Sequence, residues 1–356
     1  MLHIGVNALY LIPGGVGGTE IYLHSLLNGL CEALSTNHRI TVFVNRRWTE
    51  TPGLAIFRCN VDPSNRPARL IYEQTLLPWY LRQLKIDVLL NPGFTGPLLS
   101  PCPTVTVFHD LQHKVHPEFF RALDLPFWNL LLAQSASSST ALLAISEATA
   151  KDLARFYPNA ANKITVIPHG VDPSFSQIIR RPSYPPFFLT VCTTHPHKNL
   201  DRLLRAFANF PATHRLVVAG LEGFAHKGLL QLRRDLRLND RVEFTGWIPR
   251  VQLLDLFARA DAAIFPTLFE GFGLPVTEAL AAGLPTACSN IAPFAPYKNA
   301  TVQFDPMSES AIVDALYRIT RNAIGNGPET VAHLTWTATA QATLKLLQAT
   351  AKQGGR

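Results

Sequence analysis

Ala262-Ala-Ile-Phe-Pro-Thr-Leu-Phe-Glu-Gly-Phe-Gly-Leu-Pro-Val-Thr-Glu-Ala-Leu-Ala-Ala282 is the stretch that decides the fold. Residues 262–265 form a short apolar run, as expected of a buried strand. Residues 276–282 read as helix, and Pro275 suits its first turn, where a missing N–H is harmless. Gly271 and Gly273 fall on the turn between, where they let backbone approach a ligand closely. Glu270 is then expected on the loop and Glu278 in the early turns of the helix. The amides of Phe272, Gly273 and Leu274 lie between the two carboxylates, where a helix dipole favours an anion. Carboxylates that accept hydroxyls, beside amides that hold phosphate, suit a nucleotide-linked sugar.

The same strand–turn–helix unit recurs in both directions along the chain. Strands are predicted at 3–8, 40–44, 88–90, 104–108, 141–145 and 164–167. A second set is predicted at 187–191, 216–220, 242–245, 262–265, 285–288 and 301–304. Helical patterns separate many of them; Leu200, Leu203, Leu204 and Phe207 follow the spacing of an amphipathic helix. Apolar strands alternating with helices imply parallel sheets covered on both faces, an α/β class with two doubly wound domains. The proline-rich stretch 177–186 reads as the linker between domains at 1–176 and 187–334, and 335–356 carries a final helix. In such sheets ligands bind beyond the carboxyl ends of the strands. The expected site is a cleft between the two domains.

Composition narrows the function classes. A chain of 356 residues with 47% apolar content can fill two cores. No apolar run reaches the ~18 residues that span a bilayer, and residues 2–6 read as a first strand rather than a leader. The five cysteines are scattered without metal-ligand spacing, which argues against a zinc site or a disulfide framework and fits a reducing cytoplasm. The net charge of +7 is unevenly spread, about +1 over 1–176 and about +6 over 177–356. Nucleic acid is not the expected partner, because no compact basic run with interleaved aromatics appears. A phosphate-rich small ligand explains the asymmetry.

Further candidates sit where strands end. Pro13-Gly-Gly-Val-Gly-Gly-Thr-Glu20 follows the first strand; it breaks the dinucleotide fingerprint at Glu20 and lacks a Walker lysine, which disfavours a nicotinamide enzyme. His109-Asp110 follows strand 104–108, with Asp110 expected either to orient the ring or to cap a helix. His113 and His116 continue at metal-like spacing without a supporting carboxylate pair. Lys198 precedes a helix for which Asn199 is the expected N-cap, and its ammonium can neutralise a diphosphate. Ser146 reads as a structural N-cap, and His169-Gly-Val-Asp172 as hinge or site. The apolar stretches 72–84 and 123–133 suit an acceptor groove, a membrane contact or, the favoured use, core packing.

Taken together, these motifs resemble the glycosyltransferase family 4 enzymes, in order and over nearly the whole chain. The resemblance rests on residues 13–16, His109-Asp110, Ser146, Ile-Pro-His-Gly-Val-Asp at 167–172, Lys198-Asn-Leu, Phe-Thr-Gly-Trp-Ile-Pro at 244–249 and, above all, 265–285. It implies the GT-B arrangement of two Rossmann-like domains and a retaining, hexosyltransferase-type enzyme. That enzyme would use a nucleotide-diphosphate sugar without a metal or other cofactor, with a glycan or glycolipid acceptor. By motif matching Glu270 would bind the donor sugar, Glu278 the ribose hydroxyls and Lys198 the diphosphate. Gly271 and the amides of Phe272, Gly273 and Leu274 would contact sugar or phosphate, and Gly15 phosphate or acceptor. Thr193 joins the donor-binding set, His109 would bond a sugar hydroxyl, and the backbone at Ile248 would meet the base. The catalytic set would be Glu270, His109 and Lys198, and the final helix would cross back to the first domain. The implied setting is polysaccharide biosynthesis in the cytoplasm, with peripheral contact on the inner membrane face as an extension. Many relatives pair the lysine with an arginine where this chain has Cys192-Thr-Thr194, and carry a glutamate where it has Ala295-Pro-Tyr-Lys-Asn-Ala300. Those two departures motivate the alternative, a nucleotide-sugar-binding protein that has lost catalysis.

Overall fold

The computed structural model describes residues 2–15, 17–33, 38–49, 53–321 and 326–353. Val16, within the glycine-rich turn, lies outside them. The chain divides into two compact units: Met1–Gly170 with Trp336–Arg356, and Val171–Thr335.

The first unit is built on β1 (Leu2–Ala8), β2 (His38–Val44), β3 (Ala55–Arg58), β4 (Val88–Asn91), β5 (Thr104–Phe108), β6 (Ala141–Ala144) and β7 (Ile164–Val166). They form one parallel sheet in the order β3-β2-β1-β4-β5-β6-β7. The second unit has β8 (Phe187–Val191), β9 (Arg215–Ala219), β10 (Val242–Gly246), β11 (Ala262–Phe265), β12 (Thr286–Ser289) and β13 (Val302–Phe304). Its sheet is also parallel, in the order β10-β9-β8-β11-β12-β13. In each sheet the winding reverses once, between β1 and β4 and between β8 and β11. Such a reversal opens a crevice at the carboxyl ends of the central strands.

The predicted strands are all present, and β3 is an addition. Ala55-Ile-Phe-Arg58 is a half-exposed sheet edge paired to β2 alone, so it lacks the apolar run that marks a central strand. Helix Leu200–Ala208 buries Leu200, Leu203, Leu204 and Phe207 against Phe188, Leu216 and Ile264. Each such side chain contributes roughly 1.5–3 kcal/mol by leaving water.

Residues 177–186, expected as a linker, are hydrogen-bonded into the second unit. Arg180 donates to the carbonyls of Phe257 (2.6 Å) and Ala260 (2.7 Å), and the amides of Arg181 and Ser183 donate to Ala258 and Arg259. Phe175, before this stretch, is fully buried with its ring 4.9 Å from that of Phe257. The final helix, Trp336–Ala351, packs on helix Gly18–Ala33 within the first unit. Gly29 makes that approach, since a Cβ there would fall 2.8 Å from the Cβ of Ala340.

The favoured use of the apolar stretches, core packing, accounts for one face of each helix only. Leu77, Leu81 and Leu132 are buried, whereas Leu76, Trp79, Phe127 and Leu130 are exposed. Among the described residues no helix is long and apolar enough to cross a membrane.

Candidate functional site

The site in the second unit grows from the two loops that leave β8 and β11 at the reversal of the sheet. After β8 the chain makes a short helical turn, Pro196–Lys198, and enters helix Leu200–Ala208. After β11 it runs through Thr267 and Glu270 to Gly273, where helix Leu274–Ala281 starts with Pro275 in its first turn. The His197 carbonyl accepts from the Leu268 amide at 2.7 Å and from the Thr267 hydroxyl at 3.1 Å, which stitches the loops together. Across this seam Lys198 Nζ meets Glu270 Oε1 at 2.6 Å, with about a fifth of each side chain exposed. Two residues expected to hold different parts of a ligand are therefore in contact with each other.

Asn199 stands at the N-cap position but does not cap with its side chain. Its backbone is left-handed (φ 57°), and its amide nitrogen donates to the carbonyls of Pro266 at 3.0 Å and Pro306 at 2.8 Å. Asparagine tolerates that conformation better than most residues, and the side chain then clamps loops that follow β11 and β13. Gly273 is required twice over. Its φ is 90°, and a Cβ would lie 2.2 Å from the buried ring of Phe294. This sharp turn sets the helix start, Gly273 with Pro275 and Val276, against a pocket whose walls also include Thr190, Cys192, Lys198, Thr267 and Glu270. Phe272 is buried, and Gly271 lies between it and Glu270. Thr193 is half-buried beside the pocket; its carbonyl accepts from the His195 amide at 2.7 Å.

Glu278 lies one turn into the same helix and is almost wholly buried. Burial pushes its carboxyl up to about 8, a nearby Asp172 adds to the rise, and Arg250 opposes it. Arg250 Nη1 stands 3.9 Å from Glu278 Oε1, and Nη2 is 2.7 Å from Asp172 Oδ2. Arg250 follows Trp247-Ile248-Pro249, the segment expected to meet a base; Trp247 is exposed and Ile248 half-buried. Sequence reasoning did not single out Arg250. Its signal was adjacency, a cation directly after Trp247-Ile248-Pro249 at the start of helix Arg250–Arg259.

The remaining candidates belong to the first unit. His109 is buried after β5, with Nε2 2.8 Å from the Pro92 carbonyl. A carbonyl only accepts, so Nε2 carries the proton and Nδ1 is left as an acceptor. Burial holds the ring well below its usual range, at about 4, so it is neutral near pH 7. Asp110 accepts from the Gln112 amide at 2.9 Å, a local turn ahead of helix Gln112–Val115, whose N-cap position is Leu111. Ser146 caps helix Glu147–Phe156 as expected, accepting from the Thr149 amide at 3.0 Å. Gly15 is exposed on the turn after β1, and Glu20 fastens that turn by accepting the Gly14 amide on both oxygens at 2.9 Å. His116 pairs with Glu118, and among the described residues no group of three or more His, Cys, Asp or Glu is placed to hold a metal.

Two family models match the chain. Residues 16–175 match Glycosyltransferase Family 4, and residues 172–326 match Glycosyl transferases group 1. Among curated proteins, O-antigen chain mannosyltransferase B of Escherichia coli is 27% identical over 60% of this chain and 59% of its own length. O-antigen chain mannosyltransferase RfbU of Salmonella typhimurium is 28% identical over 79% of this chain and 81% of its own. The match thus spans less than two thirds of the first relative. Among solved structures, sucrose-phosphate synthase from Thermosynechococcus elongatus superposes with a TM-score of 0.81 at 18% identity, covering 98% of this chain and 99% of that one. The Anabaena protein HepE, solved with UDP-glucose, gives 0.74 at 16% identity over 98% of this chain and 100% of that one. At these identities the structural likeness establishes the fold, the GT-B pair of parallel-sheet domains.

Proposed function

The chain belongs to the glycosyltransferases that these two models describe, group 1 and family 4, and on that premise we propose that it moves a sugar from a nucleotide-diphosphate sugar to a hydroxyl of a glycan or lipid-linked glycan. One observation carries the proposal. Lys198, Glu270 and the start of helix Leu274–Ala281 converge on one pocket at the reversal of the second sheet. That is a cation, a hydroxyl acceptor and a set of amides where a sugar diphosphate needs all three. The two O-antigen mannosyltransferases and the UDP-glucose complex of HepE support the acceptor class and the donor class respectively.

In this reading the bond from the sugar's anomeric carbon to the diphosphate oxygen breaks. Positive charge develops on the ring and negative charge on the leaving group. The Lys198 ammonium, paired with Glu270, would lie against the diphosphate beside the helix start and offset its charge. No metal is needed for that stabilisation. Glu270 accepts sugar hydroxyls, and Glu278 accepts those of the ribose. The acceptor oxygen attacks the face the diphosphate leaves, and its proton passes to the departing phosphate, which retains the anomeric configuration. The contacts assigned to Gly15, Thr193, His109 and the Ile248 backbone belong to the same proposal.

The test is a panel of UDP-, GDP- and ADP-sugars assayed for hydrolysis and transfer, with and without a chelator. The expected outcome is turnover of one donor, undiminished by chelation. Glu270→Ala should abolish transfer, and Glu278→Ala should mainly raise KM for the donor. Full activity in Glu270→Ala would overturn the assignment.

A further inference from the structure

Arg250 is held between two carboxylates that compete for it. Its Nη2 contacts Asp172 Oδ2 at 2.7 Å and donates to Ser174 Oγ at 3.1 Å, while Nη1 stands 3.9 Å from Glu278 Oε1. The guanidinium carbon lies 4.2 Å from the centre of the Phe175 ring, over its face, a contact that favours a cation. Asp172 is anchored independently. It accepts from the Ser174 amide at 2.8 Å and the Ser174 hydroxyl at 2.6 Å as the N-cap of helix Pro173–Ser176. The shorter contact therefore goes to the aspartate, and the buried glutamate receives the weaker share of the positive charge.

We propose that Arg250 and Asp172 are positioning residues that set, in opposite directions, how strongly Glu278 accepts a ribose. The inference rests on the reading that Glu278 faces the ribose of the donor. Among the described residues the charged groups facing Glu278 are Arg250, from the start of helix Arg250–Arg259, and Asp172, from the residue before helix Pro173–Ser176. Arg250 favours the carboxylate. Asp172 opposes it twice, by its own negative charge and by drawing the guanidinium toward itself. Burial already raises the Glu278 carboxyl to about 8, so near neutral pH its ionisation is open to both neighbours. Only the ionised form accepts two ribose hydroxyls with both oxygens.

The experiment measures binding, not turnover. UDP, GDP and ADP are titrated calorimetrically, and the tightest binder is compared with its 2′,3′-dideoxy counterpart from pH 6 to pH 9. The readout is the affinity ratio of ribo to dideoxy nucleotide, with the melting temperature of each variant recorded. In the unaltered protein the ratio should rise with pH to a plateau. Arg250→Gln should move the midpoint up and lower the ratio at pH 7, by about tenfold if the midpoint rises by about one on the pH scale. Arg250→Lys should recover part of that loss, having charge without the planar fork. Asp172→Asn keeps an N-cap of similar quality and should move the midpoint down and raise the ratio at pH 7. Opposite shifts support the proposal. Shifts in the same direction, or midpoints that do not move, overturn it. Equal affinity of the unaltered protein for ribo and dideoxy nucleotides would instead overturn the ribose reading of Glu278.

Discussion

Glu278 is a residue held in a poor place for its own ionisation. The folded protein raises its carboxyl from 4.5 to about 8. Between those values the unfolded chain has released a proton that the folded chain keeps, so stability falls as pH rises through that window. Glu278→Gln removes the titration. The variant should gain stability over the parent as pH goes from about 5 to about 8, by up to about 1.4 kcal/mol for each step of one in pH, and the gap should level off above. Melting temperatures of both proteins across that range check it, and a difference independent of pH would refute it. The sequence marked Glu278 through its position eight residues after Glu270 and one turn into a helix. It did not mark its burial or its neighbours. Arg250 and Asp172 are 28 and 106 residues away along the chain; packing of helix Pro173–Ser176 beside helix Leu274–Ala281 brings Asp172 near, and Arg250 reaches both carboxylates through its side chain.

At the scale of elements, the site depends on how loops after parallel strands are tied. Local pattern was enough to put Lys198 before one helix and Glu270 before another. It misjudged Asn199, because the residue at an N-cap position is expected to cap, and here the side chain is used across loops instead. Asn199→Ala would leave the Pro266 and Pro306 carbonyls without this donor. It would also place a Cβ-bearing residue without a polar side chain in the left-handed region, costing about 1 kcal/mol or more for each lost contact and about 1–2 kcal/mol for the backbone. The expected result is a protein destabilised by about 3–4 kcal/mol in denaturant titrations, with donor KM raised because the loops after β11 and β13 lose their clamp. An unchanged midpoint would show that the clamp adds nothing to stability. The edge strand β3 escaped notice for a related reason: a half-exposed edge has no apolar periodicity to detect.

For the whole molecule, the two units have separate cores, and the chain returns to the first unit at its end. Helix Trp336–Ala351 buries Ala340, Leu344 and Leu347 on that side. Removing 336–356 should uncover helix Gly18–Ala33, so its amides should lose protection in hydrogen exchange while those of β8 and β11 keep theirs. Equal protection before and after removal would refute the dependence. The amino-acid sequence by itself determined the α/β class, nearly all the strands, the strand–turn–helix at 262–282 and the residues on which a nucleotide sugar is proposed to sit. Those follow from periodicity and from glycine and proline chemistry, which act over a few residues. Only the tertiary structure decided that Lys198 meets Glu270, that 177–186 is tied to helix Arg250–Arg259, and that Arg250 is shared between Asp172 and Glu278. Each is a contact across a sheet or between helices, set by how parallel strands order themselves, and no local pattern records which strand will lie beside which.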